Sequence, residues 1–127
     1  MRDTQRKGDT ASAQAIATFT KMGYDVAIPF TESAAYDLIV DFHGILKRVQ
    51  VRYSTNGEVD LRRIHSNSKG YVIKKPAENI YDWLYIYKAS SNEEFLVVGC
   101  PAGRRSLKPD ARYSLISVLN TLKGVQK

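Results

Sequence analysis

Tyr36-Asp37-Leu38-Ile39-Val40-Asp41 and, after a turn at His43-Gly44, Val49-Gln50-Val51-Arg52 read as two adjacent strands of a hairpin. Side chains alternate faces along a strand, so Gln50 and Arg52 point one way while Val51 points into the core. The neighbouring strand lies about 5 Å away, so Asp37 meets Gln50 and Arg52 across the pair if the register allows. An aspartate and an amide carbonyl are hard oxygen ligands suited to Mg²⁺, with waters completing its shell. Such an ion polarises a phosphate and acidifies water, and a cation beside it neutralises charge building on phosphoryl oxygens. The layout suits phosphodiester hydrolysis. Asp9 is the candidate second carboxylate: it follows Gly8 and opens a helical run over 10–21, where a first-turn acid could reach the strand pair. A plainer reading stays open, with Asp37 capping a turn and Gln50 and Arg52 as an ordinary solvent-facing pair. The order of elements favours the chemistry: acid, helix, strand, acid-bearing strand, turn, then the Gln-Val-Arg strand.

Outward from the hairpin, 10–22 carries Ala13, Ile16, Ala17 and Phe19 as a helical stripe, with Gly23 placed to cap it. Residues 1–7 are polar and expected to fray. The stretch 24–29 alternates as a strand, 31–35 is a loop, and the hairpin strands are 36–42 and 46–53. A turn at 54–57 leads to a half-exposed strand at 58–64. Residues 65–75 read as a surface loop with an extended piece at 71–73. A buried strand at 82–88, a turn at Glu93-Glu94 and a strand at 95–99 follow. Residues 100–111 form an irregular basic loop, and Leu115, Val118, Leu119 and Leu122 give 114–122 helical spacing. One helix, a run of strands and a second helix make an α+β or mixed-sheet α/β domain.

The chain has 127 residues, enough for one compact domain (1–127) and too few for two. Its formal net charge of +6 and pI near 9.5 point to a polyanionic partner, with nucleic acid foremost. Cys100 is the only cysteine, so no internal disulfide can form and a reducing compartment is expected. Two distant histidines and one cysteine make no credible zinc site. No apolar signal core or membrane-length run is visible, so a cytoplasmic location is expected, in a cell or a phage-infected host.

The segments Lys7-Gly8-Asp9, Lys21-Met22-Gly23-Tyr24-Asp25-Val26, Ile28-Pro29, Tyr36-Asp37-Leu38-Ile39-Val40-Asp41 and Val49-Gln50-Val51-Arg52 resemble, in this order, the PD-(D/E)XK nuclease superfamily. The likeness covers roughly residues 6–100. It is strongest to the small group I intron-associated, homing-type endonucleases. It implies an α/β fold with a restriction-endonuclease-like core, a central mixed β-sheet flanked by helices. It also implies Mg²⁺ bound by Asp37 and Gln50, with Asp37 as the metal-binding aspartate and Gln50 at the glutamate position, where this branch usually has glutamine. Asp9 stands where the family has a helix-borne glutamate, one methylene longer. Arg52 stands at the lysine position. Arginine keeps the charge but is a planar fork that essentially never deprotonates; it can clamp a phosphate bidentately. Losing one tuned electrostatic donor typically costs ~10²–10³ in rate.

The expected partner is double-stranded DNA, contacted at phosphates from loops and strand ends. Two groups of cations are placed for this: Arg62, Arg63, Lys69, Lys74 and Lys75 with His65, then Arg104, Arg105 and Lys108 with Arg112. Asn56, Asn67 and Ser68 are candidates for reading base edges. A solvated basic face with no specific target is the plainer account. Tyr71, Tyr81, Tyr85 and Tyr87 fit buried strand aromatics better than base-stacking platforms. Cutting both strands of a duplex with one site per chain favours a homo-oligomer. The leading reading is an Mg²⁺-dependent DNA endonuclease. Its rival is an inactive nuclease-fold protein that binds nucleic acid or builds a larger phage or ribonucleoprotein assembly. A junction-resolving nuclease is a third.

Overall fold

The computed structural model describes residues 3–61, 63–67, 70–74, 80–101 and 105–125. Helix α1 (Asp3–Lys21) leads into β1 (Asp25–Ala27), β2 (Leu38–Phe42) and β3 (Ile45–Ser54). Next come β4 (Val59–Asp60), β5 (Arg63–Asn67), β6 (Gly70–Lys74), β7 (Trp83–Lys88), β8 (Glu93–Val98) and β9 (Ser106–Leu107). A short 3₁₀ turn (Ala111–Tyr113) precedes α2 (Leu115–Val125).

The central sheet runs β1-β2-β3-β7-β8. Only β3 and β7 pair in parallel; the other neighbours are antiparallel. This is the mixed α/β sheet expected. The β2–β3 hairpin closes at His43 and Gly44, both at positive φ (53° and 88°), with Phe42 opposite Ile45. Two central residues at positive φ suit the right-handed twist of the flanking strands, and glycine adopts that conformation without a Cβ clash. Asp41 steadies the turn by accepting the Gly44 N–H at 2.8 Å.

Alternation divides the sheet into two faces, each with its own core. Leu38, Val40, Phe42, Val49, Val51, Trp83, Tyr85 and Leu96 face one way. Both helices cover that face, α1 through Ala11, Ala15 and Phe19 and α2 through Leu115 and Leu119. The two alanines are fully buried and let α1 approach closely. Phe19 then stacks on Trp83, with ring centroids 6.2 Å apart. On the opposite face Leu84, Ile86 and Phe95 pack beneath Val59, Leu61, Tyr81 and Leu107, so the β4–β9 ribbon covers this side.

Several boundaries differ from the sequence reading. Helix α1 begins at Asp3, so 3–7 is helical and Gly8 lies inside the helix; interior glycine costs only about 0.5–1 kcal/mol. It ends as expected at Gly23 (φ 94°), where the Tyr24 N–H returns to the Phe19 carbonyl at 3.1 Å. Strand β1 is three residues long. Within 65–75, residues 65–67 and 70–74 lie in antiparallel paired strands, with Arg63 opposite Lys74. Glu93 and Glu94 are strand residues, because the turn falls at 89–92. Glu94 accepts the hydroxyls of Thr18 and Tyr85, both at 2.6 Å, and so ties α1 to the sheet. The basic loop contains β9, paired with β4. Tyr81 and Tyr85 are buried, as expected. Among the described residues no helix is long and apolar enough to cross a membrane.

Candidate functional site

The β2–β3 register pairs Leu38 with Val49, which brings Asp37 to the level of Gln50. Asp37 brackets that residue: its N–H donates to the Val49 carbonyl and its Oδ2 accepts the Val51 N–H, both at 2.8 Å. The carboxylate thus continues the ladder where the strand itself has run out. It is fixed in direction by a backbone group, and its Oδ1 carries no hydrogen bond among the described residues. Val51 and Val49 turn into the helix-covered core, so Gln50 and Arg52 line the other face. Gln50 and Arg52 therefore share one face of β3, as alternation requires, and Asp37, a bend residue just before β2, stands level with Gln50.

Across the parallel pair, Gln50 lies beside Leu84 and Arg52 beside Ile86, both fully buried in the second core. Arg52 therefore borders apolar side chains. It is half-buried, and its Nε is buried with no hydrogen-bond partner among the described residues. Tyr81 is nearby: burial and the Cys100 thiol push its phenol upward, against the pull of the Arg52 charge.

Arg48 begins the same row. Asp82 accepts the Arg48 backbone N–H at 2.8 Å, its Nε at 3.1 Å and its Nη2 at 3.3 Å, and the Asp82 N–H donates to the Arg48 carbonyl at 2.8 Å. The bidentate hydrogen bond from Arg48 holds the Asp82 carboxyl below the usual range, and the same contact raises Arg48. The sequence reading passed over Arg48. Its alternation with Gln50 and Arg52 was visible, but its partner lies 34 positions away.

Asp9 is exposed in the second turn of α1, not the first. That helix packs on the face that Val49 and Val51 enter, and Asp9 makes no hydrogen bond or ion pair among the described residues. Gln50 and Arg52 thus share a face with Asp37 level with Gln50 beside them, and no described contact ties Asp9 to them.

The proposed DNA contacts divide. Arg62, Lys69, Lys75 and Arg104, with Ser68, lie outside the described residues. Arg63 and Lys74 are backbone partners across β5–β6. Arg105 and Lys108 are exposed, but Arg105 lines a concavity shared with Asn56, Glu58, Asp60 and Ser106, so carboxylates surround it. Arg112 is bound to Asp110, with Nη2–Oδ2 at 2.9 Å. The amide oxygen of Asn56 is engaged by its own turn, accepting the Glu58 N–H at 2.9 Å.

No group of three or more His, Cys, Asp or Glu among the described residues is placed to hold a metal. The donor set nonetheless fits Mg²⁺, an ion usually held by one or two carboxylates together with waters and substrate phosphates. Asp37 and Gln50 are the residues that could hold it.

A family model described as PD-(D/E)XK endonuclease matches residues 2–106, which include all four site residues. No curated protein matches. A solved structure titled "The structure of a bacterial homing endonuclease: I-Ssp6803I" is 26% identical, with a TM-score of 0.77 over 99% of this chain and 98% of that one.

Proposed function

The chain belongs to the PD-(D/E)XK endonuclease family, and from that premise we propose that it is a DNA endonuclease. It hydrolyses phosphodiester bonds of double-stranded DNA with Mg²⁺, as one nuclease domain over 1–127 acting in the cytoplasm. The bracket that Asp37 makes around Gln50, on the face that also carries Arg52, supports this most. The structural likeness to a bacterial homing endonuclease supports it further.

Asp37 and Gln50 would hold the metal, which when bound supplies Lewis-acid polarisation of the phosphoryl group and acidification of water. The Val51 N–H keeps the Asp37 carboxylate from swinging away. Arg52 contributes positive charge against the negative charge that develops on the phosphoryl oxygens. It takes no proton, because a guanidinium stays charged at any working pH. Asp9 has the weaker case and would act from the flank through water. Arg105 and Lys108 would meet backbone phosphates, and Arg62, Arg63, Lys69, Lys74, Lys75 and Arg104 are assigned to the same footprint from sequence. One row per chain against two DNA strands favours a homo-oligomer; Ile28 and Phe30 stand exposed just past the edge strand β1.

The buried, unpartnered Nε of Arg52 favours a second reading. Here the row has lost its cutting function, and the protein binds nucleic acid or serves within a larger assembly. Plasmid nicking with Mg²⁺ or Mn²⁺ separates the two. An active enzyme cuts as wild type and fails as Asp37→Ala. A wild type that never cuts, with cutting gained in Arg52→Lys, identifies the lapsed form. Silence from both variants and wild type rejects the nuclease reading.

A further inference from the structure

Strand β2 begins at Leu38, level with Val49, while β3 runs on to Ser54 beside β7. Gln50 and Arg52 lead into that overhang, and Tyr53 and Tyr87 sit side by side there on the helix-covered face. The first turns of α1 close the same end into a concavity of about 330 Å³, lined by Arg6, Lys7, Thr10, Tyr53 and Tyr87, with Asp3 as its acid. Arg6 and Lys7 are exposed, and neither forms an ion pair among the described residues. The Lys7 Nζ lies 5.9 Å from the centre of the Tyr53 ring, at the outer limit of cation–π attraction, so the ammonium is loosely held. Tyr53 is half-buried and packs against the core, its ring centroid 5.9 Å from that of Tyr87. The Tyr87 hydroxyl donates to the Asn92 amide oxygen, which fixes that ring behind its neighbour.

We infer that this concavity binds an unpaired DNA strand running on from the cleavage row, with phosphates on Arg6 and Lys7 and a base on the Tyr53 ring, backed by Tyr87. This rests on the reading of the row as a nuclease site. Cations beside an aromatic pair are the chemistry of single-strand binding: the charges follow the phosphates, and the rings stack on bases that no partner strand covers. A duplex cannot use the rings, since its bases already stack on one another. The spacing suits one continuous strand. Tyr53 lies three residues past Gln50, about 10 Å along β3, which is a few nucleotides of a strand carrying one charge per about 3.4 Å.

The test measures binding of fluorescein-labelled DNA in EDTA across a salt series, comparing a blunt duplex with the same duplex carrying an unpaired tail. The variants are Arg6→Gln/Lys7→Gln, Tyr53→Leu, Tyr53→Phe and, as a control, Lys21→Gln/Lys123→Gln, which removes the same charge from exposed lysines elsewhere. Wild type should prefer the tailed duplex by at least about fivefold, the lower end of what one stacked base contributes. Arg6→Gln/Lys7→Gln should lose that preference and flatten the slope of log affinity against log salt on the tailed duplex by about 1.4, or about 0.7 for each of two single-strand phosphates. Tyr53→Leu should lose the preference with its slope kept, whereas Tyr53→Phe and the lysine control should retain it. A wild type that binds both duplexes equally overturns the inference. So does a preference that survives Arg6→Gln/Lys7→Gln or Tyr53→Leu, or one that the lysine control abolishes equally. Should Tyr53→Leu fail to fold, the result from Arg6→Gln/Lys7→Gln decides. A wild type that binds neither DNA removes the nuclease reading as well, an outcome distinct from one that nicks plasmid and ignores the tail.

Discussion

Arg52→Lys should make the protein both more stable and faster, for separable reasons. The Arg52 Nε is buried without a partner among the described residues, on a face whose neighbouring strand offers Ile86. A buried donor left unsatisfied costs about 1–3 kcal/mol. In lysine the atom at that point of the chain is the Cε methylene, so an apolar group replaces a stranded polar one. Arg52 makes no described hydrogen bond that lysine would forfeit. Because the residue is only half-buried, a net gain of about 1 kcal/mol is expected, which for a chain of this size corresponds to a Tm rise of about 3–5 °C. The rate should rise because the ammonium is a compact charge one bond shorter than the guanidinium tip. Restoring a tuned donor is worth up to ~10²–10³ in turnover. Thermal unfolding reads the first effect and plasmid nicking the second. A Tm that falls by several degrees would refute the stability argument, since it would mean that the guanidinium is satisfied in solution. A Tm that rises while nicking stays flat would leave the orphaned donor correct and sever Arg52 from catalysis.

Asp37→Asn keeps an oxygen for the Val51 N–H, so it should unfold within about 1 kcal/mol of wild type while losing Mg²⁺ binding measured by calorimetry; retained metal affinity would remove Asp37 from the site. The lowered Asp82 carboxyl, held by Arg48, stabilises the fold above the unfolded aspartate value of about 3.9 and ceases to do so as pH falls through the lower folded value. Urea midpoints should therefore separate wild type from Asp82→Asn at pH 7, by no more than about 1 kcal/mol for this part-exposed pair, and converge once the pH lies below that folded value; a gap independent of pH would assign the effect to packing. Phe19→Ala removes the fully buried ring stacked on Trp83 and should cost about 3–5 kcal/mol by chemical denaturation. A loss under 1 kcal/mol would show that α1 is not anchored there.

The alternation of Gln50 and Arg52 was legible because it depends on local rules. A period of two along β3 is enough to put Gln50 and Arg52 on one face, and the two-residue turn at His43-Gly44 sets the register that brings Asp37 level with Gln50. Features set by distant segments were not legible. The start of α1 escaped detection because 3–9 is polar and contains Gly8, so no apolar stripe announces a helix; the extension moves Asp9 out of the first turn. Charge counts along the chain could not say that Arg105 would sit among Glu58 and Asp60, or Arg112 against Asp110. The parallel β3–β7 pairing matters most, since it joins segments more than thirty residues apart. It supplies Asp82 to Arg48, and it sets Leu84 and Ile86 against Gln50 and Arg52. Read from letters, arginine in place of lysine is a change at constant charge. Read from the register, it is a question of burial: the position admits a methylene where arginine places an N–H, and the same strand that shields the site from water withholds a partner from that donor. Whether this chain cuts DNA therefore turns less on the charge at position 52 than on whether a bound phosphate draws the guanidinium outward far enough to recover the lost hydrogen bond.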